Sequence, residues 1–460
     1  MLGVIAYSLI AGAMICSLWR QPAVALAGVL CMFGLEQMGQ ASHSFFSQHQ
    51  TFTNLLIGGI LLLSVLVKLI KGERFCSNYP TIAWLVLVLF SYAFASTVWV
   101  RRPDLTLSNW ATHGPYVLTF LLLTPLTVSD SKEIQAAFKA IILTGTVITV
   151  FLLTFVSWDA RSIVLEGGNG NPLAVSQMAA MVSLVSILAN PWRDSKVWQV
   201  MRWVIVALCL VLVVRTGARG QLLGILLVTI ACWPISHRIK NFSQVFLLIG
   251  LIGFLATVVS FGLQEFWAKQ SSYYAGGSRW SEQAMQGAIS GRLEQALILV
   301  KLWYASPETL LFGLGNSASY DPHVLGMYPH FLPLEILAEE GLFGFGLYLM
   351  ILISTFISIT RCFRLLSNEP DELMVLGALA GLILFSFVVS LKQGSLLGNL
   401  ELFMFTMITS RYITTVSSRI KAERGVQRGV AIPPDDSLPY PRGDSRPFTD
   451  LVSTDWGKRC

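Results

Sequence analysis

Long apolar runs, separated by short polar links, dominate the chain from its first residues to about position 410. A helix that crosses a bilayer needs roughly 20 predominantly apolar residues. The pattern predicts about 12 or 13 such helices, because the first pair and the last run are marginal in length. The predicted spans are Leu2–Trp19, Ala23–Gly39, Asn54–Ile70, Thr81–Val100, Gly114–Val128, Ala136–Val156, Leu173–Ala189, Val200–Val214, Gln221–Ile235, Val245–Leu263, Gly341–Ile359, Glu372–Leu391 and Leu396–Ser410. This is the pattern of an all-α, polytopic transmembrane helical bundle.

One polar interlude, Gln264–Leu337, interrupts the apolar runs and is far longer than the other links. Long loops between packed elements often carry function. Within it, Ser281–Tyr304 has apolar residues at helical spacing, which predicts an amphipathic helix along the membrane surface. The predicted organisation is therefore N-terminal transmembrane helices at 1–263, a long catalytic loop at 264–337, C-terminal transmembrane helices at 338–415 and a disordered tail at 416–460.

Lysines and arginines gather in alternate links, and this bias predicts the orientation of the chain. The side that carries them is predicted to be cytoplasmic, so the long loop faces outward. Arg101 and Arg102 lie in an outward link and break the pattern. The residues that define the cytoplasmic side are Lys68, Lys71, Arg74, Arg193, Lys196, Arg202, Arg238, Lys240, Arg361, Arg364, Arg411, Arg419, Lys421, Arg424 and Arg428.

Composition agrees with a membrane protein. Hydrophobic residues make up 54% of the chain and charged residues 13%, with a mean hydropathy of +0.63, whereas a soluble domain carries about a quarter charged residues. The net charge of +6 is explained by the orientation bias and gives no reason to expect nucleic acid. The seven cysteines are scattered and form no CxxC, so we expect neither a disulfide framework nor a metal cluster.

Two arginines in the outward turn VVRTGARGQLLG are the first candidates for ligand binding. Arg215 and Arg219 flank Gly217 and precede Gly220, and glycines allow a ligand to approach the backbone closely. An arginine at membrane depth usually faces a bundle interior or pairs with an anion, and its planar fork suits phosphate oxygens. The alternative is an interfacial arginine that reaches toward lipid headgroups.

Arg292 and His330 are the candidates within the long loop. Arg292 lies near the boundary of the predicted amphipathic helix, where a solvated arginine paired with a neighbouring glutamate is the alternative. His330 follows Pro329 just before the chain becomes apolar again, and an imidazole exchanges protons near neutral pH. A purely structural histidine is the alternative. Three glutamates, at positions 335, 339 and 340, are assigned to capping of the next helix rather than to metal binding.

The order of motifs resembles the O-antigen ligase and O-antigen polymerase superfamily of membrane glycosyltransferases. The resemblance rests on STVWVRRPDLTL (96–107), GNGNPLAVSQMAA (168–180), RTGARGQLLG (215–224), SGRLEQALILVKLW (290–303), LLFGLGNSASY (310–320) and YPHFLPLEILAEEGLFGFGLYL (328–349). It implies that Arg219 in GARG, Arg292 in SGR and His330 in YPH form the active site. Arg215 and Tyr328 join them as substrate-binding candidates. Many relatives have asparagine after this histidine, whereas Phe331 stands here.

The resemblance also implies a reaction. Family members take a glycan from undecaprenyl pyrophosphate at the periplasmic face of the bacterial inner membrane and transfer it, without a metal or other cofactor and with inversion, to an acceptor hydroxyl. The acceptor is lipid A-core, another glycan repeat or another hydroxyl, so the ligase and polymerase alternatives both stay open. The arginines would hold the pyrophosphate, and His330 would act as general base.

A polytopic transporter or flippase of lipid-linked glycans is the alternative from another class. It would share the many spans and the buried arginines. Such folds tend to show an internal repeat with broken helices in matching positions, and no repeat is evident in the sequence. A structural membrane scaffold is disfavoured by the concentration of arginine and histidine around the long loop.

Overall fold

The computed structural model of the protein describes residues 2–73, 79–159, 162–165, 168–192, 195–237, 250 and 282–427, and of residues 159, 168, 169, 282–290 and 424–427 it describes the backbone alone. The predicted span Val245–Leu263, except Gly250, lies outside these residues. So do positions 264–281 of the long loop and positions 428–460 of the tail.

The described chain is mostly helical. Its helices are α1 (Leu2–Ser17), α2 (Ala25–Gln40), α3 (Ser44–Gln48), α4 (Thr51–Ile70), α5 (Thr81–Ala95), α6 (Pro103–Thr127), α7 (Ser131–Thr154), α8 (Pro172–Leu188), α9 (Lys196–Arg215), α10 (Arg219–His237), α11 (Glu282–Trp303), α12 (Pro307–Phe312), α13 (Leu332–Leu365), α14 (Pro370–Ser390) and α15 (Leu400–Gln427). Short 3-10 turns occur at Pro22–Val24, Ser96–Val98 and Ala318–Tyr320.

A small antiparallel sheet lies in the link between α7 and α8. Strands β1 (Trp158–Asp159), β2 (Ser162–Leu165) and β3 (Gly168–Asn169) pair in sequence order. Trp158 is opposite Ile163, and Val164 is opposite Asn169. The helical prediction for the bundle is confirmed, and this sheet is an addition that the sequence pattern did not predict.

Eight helices of the described chain are long and apolar enough to cross a membrane. They are Pro22–Gln40, Thr51–Ile70, Thr81–Val98, Ser131–Thr154, Lys196–Arg215, Arg219–His237, Leu332–Leu365 and Pro370–Ser390. Two shorter apolar helices, Leu2–Ser17 and Pro172–Leu188, accompany them. Each of the predicted spans in the described residues coincides with a helix, and the predicted amphipathic segment Ser281–Tyr304 coincides with α11.

The short apolar helix α8 lies at the centre of the bundle. α8 is buried along nearly its whole length from Val175 to Leu188, and it packs among α2, α7, α9, α10 and α14. A helix that is apolar on every side is suited to such a central position. The core of the bundle is therefore built around α8 and α2, and the more exposed helices surround them.

Two helices cross the domain boundaries that the sequence suggested. α13 begins at Leu332, before the boundary at 337 and 338, so the end of the long loop is already helical. α15 continues to Gln427, beyond the boundary at 415 and 416. In α15 the backbone hydrogen bonds continue past the point where the side chains become polar, since helix formation does not require apolar residues at every turn.

Candidate active site

Arg292 lies on α11, which packs against the start of α13 and the loop before it. The side chain of Arg292 is exposed. One turn further along, Gln295 Nε2 donates to Met327 Sδ at 3.3 Å, which fixes α11 beside the segment that carries Tyr328 and His330. This contact places the helix that carries Arg292 beside the segment that leads to His330.

His330 adopts a left-handed backbone conformation, with φ of +57°. This region is uncommon for residues other than glycine, although histidine visits it more often than most. Its ring lies 4.1 Å from the ring of Tyr328, centroid to centroid, at an angle of 61°. Strained residues cluster at functional sites because the surrounding structure must hold them in place. His330 is half-buried at this position.

Burial, together with the positive charge of Arg292, lowers the pKa of His330. Burial likewise raises the pKa of Tyr328, while Arg292 acts in the opposite direction. Because the same guanidinium acts on both rings, Arg292, Tyr328 and His330 form one electrostatic unit, which we call the loop cluster. A lowered pKa keeps the imidazole neutral at pH 7, in the state that accepts a proton.

The glycine-rich segment Phe312–Asn316 docks onto a break in α13. Gly341 interrupts the helix with φ of +65° and ψ of −169°, and Leu314 N and Gly315 N donate to the carbonyl oxygens of Ala338 and Glu339 at 2.9 and 2.8 Å. A Cβ on Gly313 would lie 2.1 Å from the carbonyl oxygen of Glu339. Glycine is therefore required for the two backbones to approach this closely.

The glutamates near this break are buried and bind the same segment. Glu339 accepts from Ser317 N at 2.6 Å, from Ser319 N at 2.9 Å and from Ser319 Oγ at 2.6 Å. Glu340 accepts from Asn316 Nδ2 at 3.0 Å. The assignment of all three glutamates to capping is corrected here, since only Glu335 lies in the first turn of α13 and the other two hold the loop in place.

A second polar group surrounds the GARG turn. Lys392 Nζ donates to Gln221 Oε1 at 2.8 Å, Gln221 Nε2 donates to Gln393 Oε1 at 3.0 Å, and Gln393 Nε2 donates to Gln177 Oε1 at 2.9 Å. Lys392 lies directly against Gly220, where a Cβ would be 2.6 Å from its Nζ. An ammonium group thus stands at the start of α10, beside the half-buried Arg219.

The turn between α14 and α15 joins these two polar groups. Its first residues, Lys392 and Gln393, contact α10 as described. Its later residues contact the loop side: Leu396 N donates to Glu335 Oε1 at 2.9 Å, and a side-chain hydrogen bond joins Ser395 and Tyr320. Burial and the nearby Glu335 raise the pKa of Tyr320 to about 12, and the charge of Tyr328 also acts on it. Contacts therefore run from the GARG turn to Tyr320, and Met327 N, next to Tyr328, donates to the carbonyl oxygen of Ser319 at 3.2 Å.

Arg215 has a different setting from Arg219. Its guanidinium lies over the ring of Trp158 at 4.9 Å, and Trp158 is itself fixed by donation from Nε1 to the carbonyl oxygen of Leu152 at 2.8 Å. A cation stacked on an indole is held by the ring quadrupole. The structure therefore places Arg215 against the small sheet.

Lys392, Tyr320 and the three glutamines Gln177, Gln221 and Gln393 were not among the site residues predicted from the sequence. Lys392 could have been found, because it is a charged residue at the predicted outward end of an apolar span, a position that often serves a ligand. The three glutamines give no comparable signal, since their partnership exists only after α8, α10 and the turn after α14 have packed together.

Comparison with family models and curated sequences does not assign the chain to a family. The chain matches no protein-family model and no curated protein sequence. Within the described residues, no group of three histidine, cysteine, aspartate or glutamate side chains is arranged to hold a metal ion. What the site does must therefore be inferred from its own residues.

Proposed function

We propose that the chain is a membrane glycosyltransferase of the O-antigen ligase or polymerase type. It transfers a glycan from undecaprenyl pyrophosphate to an acceptor hydroxyl at the periplasmic face of the bacterial inner membrane. The observation that carries this proposal is the geometry of the loop cluster: the His330 ring lies 4.1 Å from the Tyr328 ring on a left-handed backbone, and the helix that carries Arg292 contacts Met327 just before them. It combines an anion-binding group with a strained, neutral imidazole at one end of a helical bundle.

His330 acts as the general base in this proposal. The acceptor oxygen forms a bond to the anomeric carbon while the bond from that carbon to the pyrophosphate oxygen breaks. The acceptor proton passes to the neutral imidazole, and the bonding electrons leave with the pyrophosphate. General base catalysis is most effective when the base is unprotonated and its pKa is not far below the working pH, which suits a histidine beside an arginine.

Arg292 and Arg219 hold the pyrophosphate and stabilise the charge that develops on it. Arginine presents donors in a planar fork that matches phosphate oxygens, and positioned cations that meet developing charge are a major source of rate enhancement. Lys392 adds a third cation beside the GARG turn. Tyr328 positions the histidine ring, and Arg215, stacked on Trp158, supports the outer edge of the donor site.

The proposal allows three acceptors: lipid A-core, a growing glycan repeat and another hydroxyl compound. All three present a hydroxyl to the same base, so the loop cluster does not discriminate among them. The donor and the surrounding membrane lipids are the partners that the proposal requires, and it involves no nucleic acid.

The test is a reconstituted transfer assay with purified protein, polyprenyl-linked glycan and a panel of the three acceptor types. His330→Asn is the sharpest variant, because asparagine tolerates the left-handed backbone of this position but cannot act as a base. We expect turnover to fall by ~10²–10⁴-fold, with donor binding largely retained. His323→Ala is the matched control, since His323 is an exposed histidine of the same loop and its loss should leave transfer unchanged.

Two results would contradict the proposal. Equal transfer by wild type and His330→Asn would exclude the histidine as base. Movement of the donor across the bilayer by the wild type, without transfer to any acceptor of the panel, would make the protein a transporter of lipid-linked glycans.

A further inference from the structure

A cleft of about 630 Å³ lies between Trp99 and α12, and no residue of the loop cluster lines it. Its walls include Trp99, Phe312 and Leu314, and its rim carries Arg101 and Glu308. The rings of Trp99 and Phe312 remain 41% and 50% exposed. Apolar walls with a charged rim are the shape of a binding site for an amphiphile.

Aromatic contacts fix the shape of this cleft. The Trp99 ring lies 6.4 Å from the Phe312 ring and 5.8 Å from the Tyr92 ring. Tyr92 also contacts Phe343 at 4.9 Å and donates from its hydroxyl to the carbonyl oxygen of Phe312 at 3.2 Å. Tryptophan and tyrosine are enriched where a membrane protein meets the headgroup region.

The cleft continues onto a surface suited to acyl chains. Phe343 follows closely after the break in α13, and Met350 and Ile357 repeat its position at intervals of seven residues. These three side chains are 54%, 47% and 41% exposed. On a helix that is long and apolar enough to span a membrane, such an exposed apolar stripe is suited to contact lipid tails.

Two neighbouring arginines at the cleft differ in their partners. Arg102 Nε and Nη2 donate to the two carboxylate oxygens of Asp104 at 2.9 and 2.7 Å. Arg101 is exposed and forms no ion pair with a carboxylate of the described chain. The Glu308 carboxylate on the same rim is engaged by Ser306. One guanidinium thus remains available at the rim.

We propose that this cleft binds an anionic glycerophospholipid, with the phosphate on Arg101 and an acyl chain against Trp99, Phe312 and Phe343. One available guanidinium matches one phosphodiester through its donor fork, whereas a headgroup with several phosphates would need more cations. This site also explains why an arginine stands in a link that the charge bias predicts to face outward. It does not depend on the proposed transferase activity.

The experiment is a titration of the purified full chain with phosphatidylglycerol, with bound lipid counted by native mass spectrometry. We expect Arg101→Ala to weaken binding by about 10-fold, as for the loss of one charge-assisted pair. Arg102→Ala is the matched control, because the charge of Arg102 is already paired with Asp104. The affinity of this variant for phosphatidylglycerol should stay within about 2-fold of wild type. Thermal unfolding without added lipid should be the same for all three proteins.

Three outcomes would overturn the proposal. Equal loss in both arginine variants would indicate a general surface-charge effect. Displacement of the lipid by soluble glycerol phosphate at the same concentration would indicate a phosphate site without an acyl-chain cleft. Displacement by a polyprenyl-linked glycan would assign the cleft to the glycan.

Discussion

The two ends of the bundle differ in how far their charged side chains are paired with opposite charges. At one end, Lys68 is fully buried and pairs with Glu73 at 3.0 Å and Glu133 at 2.8 Å, and Arg419 pairs with Glu369 and Glu372 at 2.9 and 3.1 Å. At the other end, the exposed Arg102 pairs with Asp104 at 2.7 Å, whereas Arg101 and Arg292 form no ion pair within the described chain. Helix α14 connects the two, since Glu372 stands in its first turn and Lys392 follows just beyond its last residue.

This difference separates stabilising charges from charges that can meet a ligand. A paired, buried charge has already exchanged its hydration for protein partners, so little is left to bind a substrate. An arginine without a carboxylate partner retains its whole donor fork. An anionic ligand is therefore expected to bind more favourably at the end that carries the loop cluster.

Lys68→Ala should have the largest effect on stability. It removes the cation between Glu73 and Glu133 and leaves two part-buried carboxylates, 31% and 23% exposed, without their shared partner, which costs ~2–4 kcal/mol. We expect a strong loss in the thermal unfolding temperature in detergent, with unchanged transfer per folded molecule. Lys71→Ala is the control, because Lys71 is an exposed lysine at the same end of the same helix. Similar stability of the two variants would contradict the comparison.

Arg292→Ala should have the converse effect. We expect a loss of transfer of ~10²–10³-fold, the scale for removing one donor that meets developing charge, without a change in unfolding temperature. Arg292→Lys should restore little, since a point charge does not reproduce a bidentate fork. Lys301→Ala, an exposed cation on the same helix, is the control. Normal transfer by Arg292→Ala would make the arginine a solvated surface charge.

The sequence predicted the helical class and the helices because apolar runs of membrane length have few alternatives to a helix. It also predicted that Arg292 and His330 belong together, through the order of motifs. It could not predict the left-handed backbone of His330 or the break at Gly341, because both depend on contacts between segments far apart in the chain. For the same reason Lys392 was missed, since only packing brings it against Gly220.

Gly341→Ala should have a smaller effect and tests how the loop is held. A Cβ there would lie 2.4 Å from the carbonyl oxygen of Leu311, and the backbone conformation of Gly341, φ +65° and ψ −169°, is essentially restricted to glycine and costs an L-residue a further ~1–3 kcal/mol. We expect lower stability and weaker transfer, because the docked segment leads to Tyr320. Gly346→Ala is the control: nothing lies within 4 Å of its Cβ, so stability should hold or rise slightly. If both substitutions changed stability and transfer equally, the helix break at Gly341 would not be required to hold the loop.

The most direct test of the account is the pH dependence of kcat/KM for glycan transfer by the wild-type protein. The free-enzyme profile reports the pKa of the essential base. Burial and Arg292 both lower the pKa of His330, so the imidazole is protonated and inactive only at acid pH. We predict that activity rises with pH through a single limb whose midpoint lies below the ordinary histidine value of about 6.5, and is constant near neutrality. Activity that is independent of pH between about 5 and 8, or that falls as pH rises through this range, would contradict a neutral His330 acting as base.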